Sequence, residues 1–194
     1  MVGDVFTDGS CVKLGPITWH RTGWAVCKVS SDGILQGWMR GVVGASLPQT
    51  SPAAEHVASL AGACAPGGGI DCEYSDYQGL AHLEERAAYN VYTKKNMYAG
   101  INMQILGRAP AGFRIVKVKG HADPDAAATQ HDRYLAIGND HADRMARAAA
   151  ENQPQPSQAE LQDHEAQKAF LRQYLPYVSQ ALTLWPSVGP SLGK

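Results

Sequence analysis

Apolar and polar positions along this chain follow two rhythms. Residues 2–11, 23–30 and 33–43 have the alternating, β-branched and aromatic character of strands. Ser31-Asp32-Gly33 joins the last two, and Asp-Gly is a strong hairpin signal because glycine supplies the positive φ of a tight turn. Over 51–64 the period becomes helical. Val57, Leu60, Ala61 and Cys64 line one face, Pro52 suits the first helical position, and Pro66-Gly67-Gly68-Gly69 ends the helix. Residues 70–75 predict a fourth strand, and residues 77–108 predict helix in two pieces ending near Gly107. In 113–119, Phe113, Ile115, Val116 and Val118 interleave with Arg114, Lys117 and Lys119 as a fifth strand, and a helix follows from about Asn139 to Ala150. Three strands able to pair antiparallel, then helix and strand in alternation, predict an α/β domain with a mixed five-stranded sheet flanked by helices.

The stretch Glu151-Asn152-Gln153-Pro154-Gln155-Pro156-Ser157 is polar and proline-interrupted. It divides the chain into a domain over 1–150, a linker over 151–157 and a helical extension over 158–194. Within the extension, 158–175 read as helix, and Pro176 breaks or restarts it. Leu171, Tyr174, Leu175, Val178, Leu182 and Trp185 form an apolar stripe that either packs back on the domain or docks on a partner.

Composition narrows the class. A hydrophobic content of 44% with 18% charged residues describes a soluble globular protein with no membrane span. Strand-like sequence begins almost at Met1, so no targeting peptide is expected before the fold. Cys11, Cys27, Cys64 and Cys72 form no C-x-x-C pair and no zinc spacing, and they read as reduced, mostly buried thiols of an intracellular protein. The net charge of −1 argues against a tight stand-alone polyanion binder, although Lys94, Lys95, Arg108, Arg114, Lys117 and Lys119 supply local positive charge.

Four carboxylates change the picture. Asp8 ends the run Val5-Phe6-Thr7-Asp8-Gly9-Ser10, Glu55 lies in the first turn of the helix opening at Ser51-Pro52, Asp76 follows the fourth strand, and Asp143 lies in the first turn of the helix opening near Asn139. Gathered at one point, such acids repel unless divalent cations compensate them. All-oxygen ligation with open positions suits Mg²⁺ or Mn²⁺, and two ions about 3.5–4 Å apart are a recurrent device for phosphodiester cleavage. Each segment alone has an ordinary structural reading: a turn, an acid near a helix N-terminus, an N-cap, a solvated loop histidine or a capped helix start.

Their order carries more. Thr7-Asp8-Gly9-Ser10, Ala54-Glu55, Ser75-Asp76, Val118-Lys119-Gly120-His121 and Gly138-Asn139-Asp140-His141-Ala142-Asp143 together resemble ribonuclease H of type 1, including the domains attached to retroelement reverse transcriptases. The resemblance covers roughly residues 2–150. It implies a ribonuclease H-like fold and an endonuclease that hydrolyses the RNA strand of RNA–DNA hybrids, leaving 5′-phosphate and 3′-hydroxyl ends. It also implies two Mg²⁺ ions, replaceable by Mn²⁺, with Asp8 bridging both, Glu55 and Asp76 completing one site and Asp143 the other. His121 would move protons or help product leave. Ser10, Ser51, Gln78 and Asn139 are the candidate substrate contacts, Ser51 standing where the family often has asparagine. A reverse transcriptase is a candidate partner through the C-terminal extension.

The chain also departs from the family. Cellular members often carry a basic, Trp-containing protrusion, but residues 77–112 hold only Arg86, Lys94, Lys95 and Arg108 with Glu84-Glu85 among them. The segment between His121 and Asn139, with Asp123, Asp125, His131 and Asp132, reads as a long solvated loop. Two alternatives share the fold. One is a non-catalytic scaffold that docks through its C-terminal stripe, against which the retention of all four acids counts. The other is an integrase- or exonuclease-like nuclease, against which the Lys119-Gly120-His121 loop and the Gly138–Asp143 motif count.

Overall fold

A computed structural model describes residues 3–14, 19–65, 70–85, 96–154 and 156–183. The three N-terminal strands, β1 (Val5–Leu14), β2 (Trp19–Val29) and β3 (Leu35–Val42), pair antiparallel in sequence order. The short strands β4 (Cys72–Ser75) and β5 (Arg114–Lys117) add in parallel on the other side of β1. The resulting five-stranded order is β3-β2-β1-β4-β5, the mixed sheet that the sequence predicts. Asp32-Gly33 makes the expected turn: Gly33 has φ 85° and its amide donates to the Ser30 carbonyl at 2.9 Å.

Alternation along β1 sends successive side chains into two different cores. Val5 joins Val26, Leu80, Leu83, Ile105, Phe113 and Ile115 on one face. Phe6 joins Cys27, Val29 and Ala142 on the other. The first face is covered by α1 (Ser51–Ala63) and α2 (Ala99–Arg108), which meet where the His56 ring stacks on Tyr98 at 4.2 Å. The second is covered by α3 (Gln130–Glu151).

Several predicted details change. Thr50 caps α1, so Pro52 is the second helical residue and Glu55 stands in the second turn rather than the first. The buried face of α1 is Ala54, Glu55, Ala58, Ser59 and Gly62, whereas Val57, Leu60 and Ala61 are half-buried and Cys64 is exposed. The cause is close approach: a side-chain carbon added at Gly9 of β1 would fall 2.3 Å from the Glu55 amide nitrogen, so only small residues fit between helix and strand. Of the four thiols, Cys27 and Cys72 are buried and Cys11 is half-buried.

The last core helix begins nine residues earlier than its predicted start at Asn139, capped by Thr129, whose hydroxyl accepts from the Asp132 amide at 3.0 Å. The long loop after His121 is correspondingly shorter, His131 and Asp132 are helical, and Asp123 caps a single 3-10 turn over Pro124–Ala126. Gly138-Asn139 looks like a helix opening but lies inside α3. A side-chain carbon at Gly138 would meet the Phe6 ring at 2.3 Å, so this glycine is a packing requirement, not a break. Residues 78–85 form turns and a 3-10 turn (Leu83–Glu85) instead of the predicted first helical piece, whose remainder over 86–95, with Lys94 and Lys95, lies outside the described residues.

The chain divides into two compact units, Met1–Gln153 and Pro154–Lys194. Gln153, within the predicted linker, belongs to the first: it accepts from the buried Arg21 guanidinium through its carbonyl and donates to the Thr22 carbonyl at 3.2 Å. The second unit contains α4 (Gln158–Thr183), opened by Ser157, whose amide and hydroxyl both donate to the Glu160 carboxylate. The helix continues through Pro176 rather than breaking there. Leu171, Tyr174, Leu175 and Val178 of the predicted stripe are exposed, while the Leu182 side chain and Trp185 lie outside the described residues. Among the described residues, no helix is long and apolar enough to cross a membrane.

Candidate active site

Parallel pairing of β1 with β4 in the register Thr7↔Ser75 puts the next residues, Asp8 and Asp76, side by side where the two strands diverge. α1 crosses directly over Gly9 and adds Glu55. Ligand oxygens of Asp8, Glu55 and Asp76 all lie within 4.8 Å of one another, so residues from three separate parts of the chain converge. Asp143 comes from the interior of α3, not its first turn, and is near enough for its charge to act on Asp8. It lines an open cavity of about 220 Å³ with His121, Asn139 and Asp140.

Electrostatics within the cluster follow from burial and like charge. Burial, then the charges of Asp76 and Asp143, pushes the Asp8 carboxyl up to about 7 against the opposing hydrogen bonds from Gly9 and Glu55. Glu55 is also held well above the ordinary carboxylate range, by burial first and then by Asp8 and Asp76. The Gly9 amide hydrogen-bonds to both carboxyl groups, and the Ser75 hydroxyl donates to Glu55 Oε2 at 3.5 Å.

The remaining predicted residues fall on the surrounding elements. His121 is exposed in the loop after β5 and adopts φ 50°, a left-handed conformation uncommon outside glycine. Asn139 is buried one turn before Asp143, and its Oδ1 has no hydrogen-bond partner among the described residues. Ser10 shares the Asp8 face of β1 by alternation, and Ser51 stands one turn before Glu55 on α1. Gln78 is exposed in a turn just after Asp76, not in a helix.

Three residues have parts at the site that the sequence reading does not assign. Gly120 packs against Asp76, where an added side-chain carbon would fall 2.3 Å from Oδ2, so the glycine of Lys119-Gly120-His121 leaves room for a carboxylate. Lys117 Nζ donates to the Asp76 carbonyl at 3.1 Å and the Val118 carbonyl at 3.4 Å, bracing β5 against the strand end. Glu73, fully buried on β4, accepts from Thr7 and Ser59. A glutamate within the otherwise strand-like stretch 70–75 was the available signal for the last of these.

No protein-family model matches the chain, and no curated protein sequence matches it. Solved structures do share its fold. The solution structure of the PFV RNase H domain superposes with a TM-score of 0.58 at 18% identity, over 76% of this chain and 93% of that one. LC9-RNase H1, described as a type 1 RNase H with the type 2 active-site motif, gives 0.54 at 16% identity over 78% and 73% of the two chains. The foamy viral protease-reverse transcriptase in complex with dsDNA gives 0.52 at 17% identity over 76% and 92%. This chain has the ribonuclease H fold.

Proposed function

We propose that this chain is a metal-dependent endoribonuclease that hydrolyses the RNA strand of RNA–DNA hybrids and leaves 5′-phosphate and 3′-hydroxyl ends. The observation that carries this reading is the convergence of Asp8, Glu55 and Asp76 within 4.8 Å at the open end of two parallel strands. The names of the fold's solved relatives, the PFV RNase H domain and LC9-RNase H1, support the same choice of chemistry.

The donor set fits hard divalent cations. It consists of carboxylate oxygens, and Asp8 and Glu55, raised by burial first and then by like charge, are groups whose ionised form a cation would favour. Asp8, Glu55 and Asp76 would hold one Mg²⁺ or Mn²⁺, and Asp8 with Asp143 a second. A bound pair supplies an activated water and neutralises charge on the departing 3′ oxygen. The chain's own residues then position and exchange. Gly9 and Ser75 fix the Glu55 carboxyl, and Gly120 leaves space for Asp76. His121, which lines one cavity with Asp143, would move protons or help product leave. Ser10, Ser51, Gln78 and Asn139 would contact the sugar–phosphate backbone and the 2′-hydroxyl that distinguishes the RNA strand.

The test is cleavage of a labelled hybrid beside single-stranded RNA, duplex RNA and duplex DNA, each with Mg²⁺ or Mn²⁺. Cleavage confined to the RNA of the hybrid is expected. Equal cleavage of all four would remove the hybrid assignment, and no cleavage with either metal would remove the enzyme. The exposed apolar residues of α4 support a second, separable role for residues 158–183: attachment to a protein partner such as a reverse transcriptase.

A further inference from the structure

Glu73 is a fully buried carboxyl group that the proposed chemistry does not use. Its two oxygens are shared between two elements: Thr7 Oγ1 of β1 lies 3.0 Å from Oε1, and Ser59 Oγ of α1 lies 3.0 Å from Oε2. Thr7 immediately precedes Asp8. Ser59 lies one helical turn beyond Glu55, on the same face of α1. Glu73 itself stands two residues before Ser75 on β4, and so on the same face of that strand. The i, i+4 pair Glu55 and Ser59 on the helix therefore meets the i, i+2 pair Ser75 and Glu73 on the strand, through hydrogen bonds of 3.5 and 3.0 Å.

Apolar contacts are non-directional, and the α1 face against the sheet consists largely of Ala54, Ala58 and Gly62, which offer little to lock rotation or sliding. Gly62 packs so that an added side-chain carbon would lie 3.6 Å from Glu73 Oε2, placing the carboxyl directly beneath the helix. Burying a carboxyl here is costly unless both oxygens are satisfied, and both are. Resting on the reading of Asp8, Glu55 and Asp76 as a metal site, we infer that Glu73 is a positioning residue: by bonding Thr7 and Ser59 at once, it sets the height and rotation of α1 over β1 and brings Glu55 into register with Asp8. It touches neither substrate nor metal and acts through the two hydroxyls.

The experiment is calorimetric titration of Mn²⁺ into the metal-free full chain, with thermal unfolding and hybrid cleavage measured in parallel. In Glu73→Gln, the side-chain carbonyl accepts from one hydroxyl and the amide donates to the other, so Mn²⁺ affinity should stay within about twofold of the original chain. Glu73→Met keeps the volume but removes both bonds. It should remain folded, weaken Mn²⁺ binding by about tenfold, as losses around a metal's own ligands typically do, and lower kcat more than it changes KM. Ser59→Ala cuts only the helix side and should weaken Mn²⁺ binding less, in the same direction; it decides the matter if Glu73→Met fails to fold. Unchanged Mn²⁺ affinity in Glu73→Met, or in Ser59→Ala where that variant decides, would overturn the inference. So would an equal loss in Glu73→Gln and Glu73→Met. If the unsubstituted chain bound no Mn²⁺, the metal-site reading would fall and take this inference with it.

Discussion

Asp8 is the residue on which the site turns, because it lies on the central strand, is nearly fully buried and feels the charges of Asp76 and Asp143. Asp8→Asn removes one negative ligand and keeps the shape. Cleavage should fall by about 10³-fold or more while the domain stays folded, as read by steady-state rates beside circular dichroism. His121→Ala should cost less, about 10²-fold, because a proton-moving group assists and does not hold the metal. Equal losses in the two variants would show that His121 has a larger part. A pH prediction follows from Asp8 as well. Its carboxyl rises from an ordinary 3.8 to about 7 in the folded chain, so between those values the folded state binds more protons than the unfolded state. The metal-free protein should therefore gain stability as pH falls through 7 toward 5, with Tm rising by about 3 °C or more, opposite to a protein stabilised by paired carboxylates. Saturating Mg²⁺ should flatten that slope by favouring the ionised form.

Among the elements, α3 shows how packing overrides a local signal. Gly138 lies inside the helix against Phe6, whose ring is held between Tyr74 at 5.0 Å and Tyr134 at 5.3 Å. Alanine is the better helix former by about 1 kcal/mol, yet Gly138→Ala should destabilise the domain by about 1–3 kcal/mol because the ring has nowhere to move. Gly107, inside α2 with nothing within 4 Å of an added side-chain carbon, should behave oppositely. Gly107→Ala is expected to stabilise by about 0.5–1 kcal/mol. Urea unfolding of the two variants measures both signs in one experiment, and a gain at Gly138 would contradict the tight seat described for it.

At the scale of the whole molecule, a net charge of −1 is the constraint on substrate binding. Exposed Arg108 at the end of α2, with Arg114, Lys117 and Lys119 on and after β5, are the described part of the local positive charge. Hybrid binding by the chain alone is expected to be weak and to decline steeply with salt, since such contacts are screened over about 10 Å at 0.1 M. Deleting residues 158–194 should leave the intrinsic cleavage rate unchanged. If a partner supplies hybrid affinity through α4, adding it should lower KM with little change in kcat, and the deletion should cancel that effect. Steady-state cleavage at two salt concentrations, with and without the tail, reads both outcomes. Nanomolar, salt-insensitive binding by the chain alone would show that its surface is more complementary to nucleic acid than its charge suggests.

Hydrophobic period and turn chemistry were sufficient, in the sequence by itself, for the five strands, the Asp32-Gly33 hairpin and the helix opening at Ser51-Pro52, because each of these is encoded over a few neighbouring residues, whereas the four acids stood out only through the order of their segments along the chain. Thr129-Gln130-His131-Asp132 also carried a legible capping signal for the true start of α3, masked by the stronger apparent break at Gly138-Asn139. Other features were set only in three dimensions. Which face of α1 is buried depends on how closely Gly9 lets the helix approach β1, and the helical status of Gly138 depends on Phe6, which is distant in sequence. The meeting of Asp8, Glu55 and Asp76 depends on β4 adding in parallel to β1 and on α1 crossing above them. Glu73 has meaning only once Thr7 and Ser59 stand on either side of it. Local pattern decides what a segment becomes; register and close packing between segments decide which side chains meet, and those distances are not written in any window of the chain.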